Sequence, residues 1–183
     1  MKPGFAILLL SLTPLWCQVA KPAALAGANL PAPRARIPAD AIRGLERTFN
    51  DRLSGLAGVD QPTELMGDTR GVQLEDYGVV FSTELSLVIT PGLMPGRPKI
   101  PPEMAARVRA QRVERKPLLI AAMKDMMHTM AIELGQIPAG HKLVLVVRLY
   151  YGAWEDTTGM PAQVIMRADR AAAAAGKVET EER

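Results

Sequence analysis

Four methionines and a histidine form the densest chemical cluster in the chain: Met123, Met126, Met127 and Met130, with His128 among them. Thioether sulfurs select Cu(I), so the first chemistry to weigh is copper binding. On a helix turning about 100° per residue, Met123, Met127 and Met130 fall within about 60° of one another, whereas His128 points about 140° from Met123. The methionine arc also carries Leu119, Leu134 and Ile137. Flexible thioethers on an apolar arc are expected to fill a core, so no metal is assigned to them.

The other reactive groups are sparse. His128 and His141 are the only histidines and Cys17 the only cysteine, too few for a Cys/His zinc site. Ser82, Thr83 and Ser86 lie along an alternating segment with no nucleophile elbow around them. The glycines near positions 92 and 96 sit among prolines, and neither a P-loop nor a GxGxxG occurs. No cofactor is expected.

Carboxylates are the remaining candidates. Glu75-Asp76 stands beside Tyr77, and Glu155-Asp156 beside Trp154. Both pairs read as tight turns. If the turns share one end of a sheet, the four acids converge with Asp68. Paired carboxylates divide acid and base roles when their environments separate their pKa values, as in glycosidases. They can also hold Ca²⁺, although no Asp-x-Asp-x-Asp-Gly loop is present. Turns use Asp, Thr and Gly without any such purpose. The expected contact surface is therefore Asp68, Arg70, Glu75, Asp76 and Tyr77, together with Arg148, Tyr150, Trp154, Glu155 and Asp156. Catalytic residues are left unassigned. Arg107, Arg109, Arg112, Arg115 and Lys116 make a basic run. It reads first as a solvated helix face, with contact to an anionic lipid surface or an acidic partner as the alternative.

The elements that must position these groups follow from periodicity. A helix is expected from about Ala39, where Ile42, Leu45, Phe49, Leu53 and Leu56 recur at helical spacing, with Gly58 as a stop. Val72 and Leu74 precede Glu75-Asp76, and a strand follows through Ile89. In it Phe81, Thr83, Leu85, Leu87 and Ile89 share one face, while Ser82, Glu84 and Ser86 share the other. The two acids between the runs suggest a hairpin. Residues 91–102, with five prolines and two glycines, read as a loop. A helix starts near Pro102, a favoured first-turn residue, and Pro117 is expected to kink or divide it. From Leu118 onward the apolar stripe runs to Ile137. Lys142–Tyr151, apolar on both faces at most positions, is expected to be a central strand. Ala162–Arg167 is the last strand, followed by a short alanine helix capped by Asp169 and ended by Gly176. The tail from Lys177 is expected to fray. The order α-β-β-α-β-β-α predicts an α+β fold: an antiparallel four-stranded sheet with helices packed on one face.

The N-terminus reads as an address. Lys2 is followed by a charge-free stretch containing Phe5–Trp16, too short to span a bilayer but suited to a secretory signal. Ala24-Leu25-Ala26 offers small residues for cleavage after Ala26. An uncleaved anchor is the alternative, which Pro14 opposes. A lipid anchor on Cys17 is opposed by bulky Trp16. The expected organisation is a signal over 1–26, a Pro/Ala leader over 27–38, one α+β domain over 39–170, and an alanine helix with a charged tail over 171–183. The net charge of the 183 residues is +3. Cleavage removes Lys2, Lys21 and the one cysteine, leaving 157 residues with 20 basic and 19 acidic groups. Near-neutral charge, export and few aromatics disfavour nucleic acid as a partner.

Thr69–Phe81 and the later Trp154–Pro161 resemble segments of exported proteins from acidobacterial genomes, a family with no assigned activity. The resemblance implies an exported domain and assigns no chemistry. The expected function is a non-catalytic interaction domain of the cell envelope, periplasmic or secreted, with a protein partner. The alternative is a small hydrolase using Glu75, Asp76, Glu155 or Asp156. Membrane contact would run through a retained N-terminal segment or the Arg107–Lys116 helix. Mass spectrometry of the protein recovered from the producing cell is expected to show Gly27 as the first residue. A chain beginning at Met1 would contradict cleavage.

Overall fold

The structure is a computed structural model that describes residues 36–58, 62–90 and 100–183. The expected signal, nearly all of the leader, and the core of the proline-rich loop lie outside the described residues. The order is α1 (Ala39–Ser54), β1 (Glu64–Leu74), β2 (Gly78–Ser86), α2 (Pro102–Glu133), β3 (Lys142–Leu149), β4 (Gln163–Asp169), α3 (Arg170–Ala174) and β5 (Glu179–Glu182). The fold is α+β, but the sheet has five strands, in the order β1-β2-β3-β4-β5, and it is mixed.

Two features correct the expected four-stranded antiparallel sheet. First, β2 and β3 pair in parallel, from Gly78↔Lys142 to Leu85↔Leu149. A helix between two neighbouring strands carries the chain back to the starting end of the sheet, and parallel pairing follows from that crossover. The other neighbours are antiparallel. Second, the charged tail does not fray. It returns as β5 along β4, with Arg167↔Glu179 and Ile165↔Glu181 opposite each other. Arg167 binds the Glu179 carboxylate at 2.7 Å.

One face of the sheet is covered by the described helices, and the other carries no described helix. Val79, Phe81 and Leu85 of β2, Leu143, Leu145 and Val147 of β3, and Val164 and Met166 of β4 are all fully buried under the helices. Leu45, Phe49 and Leu53 of α1 meet them, with Phe49 and Phe81 edge to face at 5.1 Å. Met123, Met126, Met127 and Met130 are all at 0% exposure, so the methionine cluster is core. His128 lies on the exposed side of α2. No group of three or more metal-binding side chains occurs among the described residues. No described helix is long and apolar enough to cross a membrane.

The helix α2 runs unbroken through Pro117. A proline there forfeits one hydrogen bond, to the carbonyl of Val113. Val113 is exposed, so water can serve that carbonyl. Helix α1 ends at Ser54, with Gly55 as its C-terminal cap rather than Gly58. Strand β2 stops at Ser86, which leaves Ile89 exposed instead of on the core face.

The outer edge of β1 is sealed by α1. Glu46 accepts the Gly71 N–H and the Asn50 side-chain oxygen accepts the Thr69 N–H, each at 2.8 Å. Four helical residues rise about 6 Å and two strand residues about 6.6 Å, so the i,i+4 pair matches the i,i+2 donors. Edge donors that would recruit another strand are thereby satisfied.

The hairpin loop between the paired Leu74 and Gly78 has three residues, not two. Asp76 adopts φ 58° within it, a conformation Asp tolerates. Gly78 follows at φ 146°, and a Cβ there would stand 1.8 Å from the Lys142 carbonyl oxygen. Only glycine allows β2 to begin against β3. Gly78→Ala is expected to destabilise the fold by about 3 kcal/mol, since backbone cannot yield as a side chain does. At Gly44, inside α1, an added Cβ meets nothing within 4 Å. Gly44→Ala is expected to stabilise by about 0.5–1 kcal/mol. Urea denaturation of the two variants tests both signs.

Candidate functional site

Buried charge among the described residues gathers where α2 meets the connection between β3 and β4. The buried stripe of α2 reads Val108, Arg112, Arg115, Leu119, Met123, Met126, Met127 and Met130. The steps between these positions are mostly three or four residues, so the two arginines belong to the same stripe as the core methionines. This corrects the expectation of a solvated basic face. Arg112 and Arg115 are 2% and 5% exposed, and only part of the run faces water.

Arg112 is held from three sides. Its Nε meets one oxygen of Glu155, and its Nη2 donates to the other at 2.7 Å. Both side chains are buried, at 2% and 4% exposure. The guanidinium carbon lies 4.9 Å over the Tyr151 ring centroid, a cation–π geometry. Ser86 at the end of β2 stands 3.4 Å from Nη2. Glu155 also accepts the Gly152 N–H at 2.8 Å, which folds its own turn. Tyr151 donates its hydroxyl to the Pro161 carbonyl at 2.7 Å. Burial pushes the Tyr151 phenol up to about 12; Arg112 opposes the rise and Glu155 adds to it.

The neighbours of Arg112 extend the grip along the helix. Arg115 donates to the Leu87 carbonyl at 2.6 Å, and burial lowers its pKa. Arg109 pairs with Asp156 and donates to the Thr158 carbonyl at 3.1 Å. Asp156 accepts the Thr158 N–H at 2.9 Å. Hydrogen bonds from Thr158, ahead of the charge of Arg109, hold the Asp156 carboxyl below its ordinary pKa. Lys116 reaches Glu182 of β5 at 2.8 Å. The basic run therefore clamps α2 to the end of β2, the β3–β4 connection and the edge strand. Arg107 remains exposed.

The acidic turns do not converge. Glu75 and Asp76 sit where β2 begins, beside Lys142 at the start of β3. Glu155 and Asp156 follow the end of β3. A strand of eight residues spans about 26 Å, so the two pairs lie at opposite ends of the sheet. Glu75, Asp76 and Tyr77 are exposed, as are Arg148 and Tyr150, whereas Trp154 packs partly buried against the core. A carboxylate whose two oxygens both face one edge of a guanidinium is committed to that pair. Glu155 is thus structural in geometry, not a poised base.

Asp68 and Arg70 line a separate cleft of about 500 Å³ beside α1, with Asp40, Arg43, Glu46, Arg47, Asn50 and Thr69. Its charges are largely matched internally: Arg43 pairs with Asp40, and Arg70 lies 3.7 Å from Asp68. Glu46 and Asn50 are occupied by the edge of β1.

The face of the sheet opposite the helices is the other candidate. Register places Val72, Val80 and Val144 in one row across it, and Arg70, Ser82, Val146 and Ile165 in the next. Glu84 and Arg148 are neighbours in a third row. No described helix covers this face. No family model, curated protein or solved structure matches the chain.

Removal of Glu155 leaves Arg112 charged and unpaired in the interior. Glu155→Ala is expected to cost about 3–5 kcal/mol of stability. Asp156→Ala, at an exposed pair, is expected to move the urea midpoint far less. Equal shifts would contradict the assignment of Glu155 as the anchoring acid.

Proposed function

We propose that this chain is an exported, non-catalytic domain of the cell envelope that binds a protein partner through the uncovered face of its sheet. The observation carrying the proposal is that face. It presents Val72, Val80, Val146 and Ile165 without a covering layer among the described residues. Val72 is 54% exposed. An apolar strip of this kind, flanked by charged groups, is the composition of a contact surface. Glu46 and Asn50 occupy two edge donors of β1, which disfavours strand addition there.

Two of the ten residues expected at a contact surface, Arg70 and Arg148, lie on this face by register. Glu75 and Asp76 lie in the turn before β2, whereas Glu155 is buried against α2 on the helix side. The separation of the acid pairs, with Glu155 committed to Arg112, weighs against a hydrolase built on them. Export rests on the N-terminal sequence, and on the resemblance of Thr69–Phe81 and Trp154–Pro161 to exported proteins.

A photo-crosslinking residue in place of Ser82, which is exposed at the centre of the face, tests the proposal in the producing cell. A discrete adduct larger than the chain is expected, lost when Val146→Glu is added. A chain that forms no adduct from position 82, but does from the turn at Tyr77, would overturn the assignment of the face.

A further inference from the structure

The partner on this face can be narrowed from the arrangement of its charges. Glu84 of β2 and Arg148 of β3 are in register on the uncovered side. Neither side chain has a hydrogen-bond or ion-pair partner among the described residues. Other charged groups of the sheet are paired: Lys142 with Asp169 at 2.7 Å, Lys116 with Glu182 at 2.8 Å, and Arg167 with Glu179 at 2.7 Å. Two opposite charges on adjacent strands, both unpaired, form a surface complementary to itself.

Resting on the proposed function above, we propose that the uncovered face is the interface of a twofold homodimer. Its axis runs parallel to the strands, between β2 and β3. Rotation about that axis lays β2 on the partner's β3, and β1 on the partner's β4. Residues in one row stay in that row. Glu84 then meets the partner's Arg148, and Arg148 meets the partner's Glu84. Val80 packs on the partner's Val144, and Ser82 on the partner's Val146. Val72 lies against the stem of the partner's Arg167, a long side chain able to cover apolar surface while its head keeps its own pairs.

The other in-plane choices fit less well. An axis along the middle of β3 would set Arg148 against its own copy. An axis across the strands would bring Arg148 towards the partner's Lys142.

The strands of the two sheets remain aligned under the proposed rotation, which is the common geometry of face-to-face sheets about 10 Å apart. Four overlapping strands at about 4.8 Å, each about 26 Å long, cover about 500 Å² per copy, or about 1,000 Å² in all. That is the lower end of specific interfaces, so the dimer should dissociate on dilution.

Reciprocity gives the test. Sedimentation velocity on the purified protein is expected to show a concentration-dependent monomer–dimer equilibrium. Glu84→Arg alone and Arg148→Glu alone are each expected to be monomeric, because each places like charges together at two points. Mixed one to one, the two variants are expected to form a heterodimer, since both contacts then join opposite charges. Circular dichroism and urea unfolding of each variant confirm that it is folded. A wild-type chain that is monomeric at every concentration overturns the dimer, as does a mixture that stays monomeric. The adduct from position 82 separates this failure from that of the wider proposal. An adduct of twice the chain mass supports the dimer. An adduct of another mass overturns the dimer while leaving the face a contact surface. The absence of any adduct overturns both.

Discussion

A charge buried where water cannot reach it must be answered by the protein, and Arg112 is that charge. Taking a guanidinium and a carboxylate out of water costs several kcal/mol per ion, recovered only through good geometry and further hydrogen bonds. The protein supplies both oxygens of Glu155, the face of Tyr151, and the Gly152 N–H that fixes the carboxylate in turn, while Arg112 Nη1 has no hydrogen-bond partner among the described residues. Once Arg112 and Glu155 are paired, the connection between β3 and β4 is tied to the first half of α2. Arg115 fixes the same helix to the end of β2 through the Leu87 carbonyl. The second half of α2 packs by methionine and leucine, which constrain position far less specifically than directed hydrogen bonds. The long helix is thus placed at one end by directional contacts and at the other by apolar packing.

That placement is coupled to the topology of the sheet. Strands β2 and β3 lie side by side in parallel, and α2 is the described helix of the connection between them. The parallel pair begins where Gly78 admits the Lys142 carbonyl, and it ends beside the Arg112 cluster. Both ends of the pair are therefore specified by single residues. Of the antiparallel strands outside it, β1 is joined by a three-residue turn and β4 by a thirteen-residue connection. Polar chemistry closes the edges: α1 side chains on β1, and a charged strand on β4. Every described helix then lies on one side, and no described helix covers the other.

Much of this was legible in the sequence. The spacing of Leu45, Phe49 and Leu53 gave α1, the continuous apolar run at Leu143–Val147 gave an interior strand, and the methionine arc gave the core face of α2. The arginines of that same helix read as a solvated face because charged side chains are mostly exposed. Extending the stripe backwards from Leu119 by four and then three residues lands on Arg115 and Arg112, so the phase was present and the residue type concealed it. Pairing partners are not encoded in local periodicity. Nothing in the window around Glu155 names Arg112, 43 positions away. The parallel register and the tail strand escaped for the same reason: Glu179–Glu182 carries no apolar alternation, and it is a strand because β4 offers an edge. The two acidic turns looked alike locally, and only the direction of β3 shows that they stand at opposite ends.

The residues that first suggested chemistry are, in the fold, residues that hold it together, and this turns attention from reaction to contact. The measurement that bears most directly on the organising role of Arg112 is a double-mutant cycle with Arg112→Met and Glu155→Leu, read by urea unfolding. Dependence of the two residues on each other predicts a coupling of about 2 kcal/mol or more, with the double variant recovering much of what either single change loses. Single effects that add to within about 0.5 kcal/mol would contradict it.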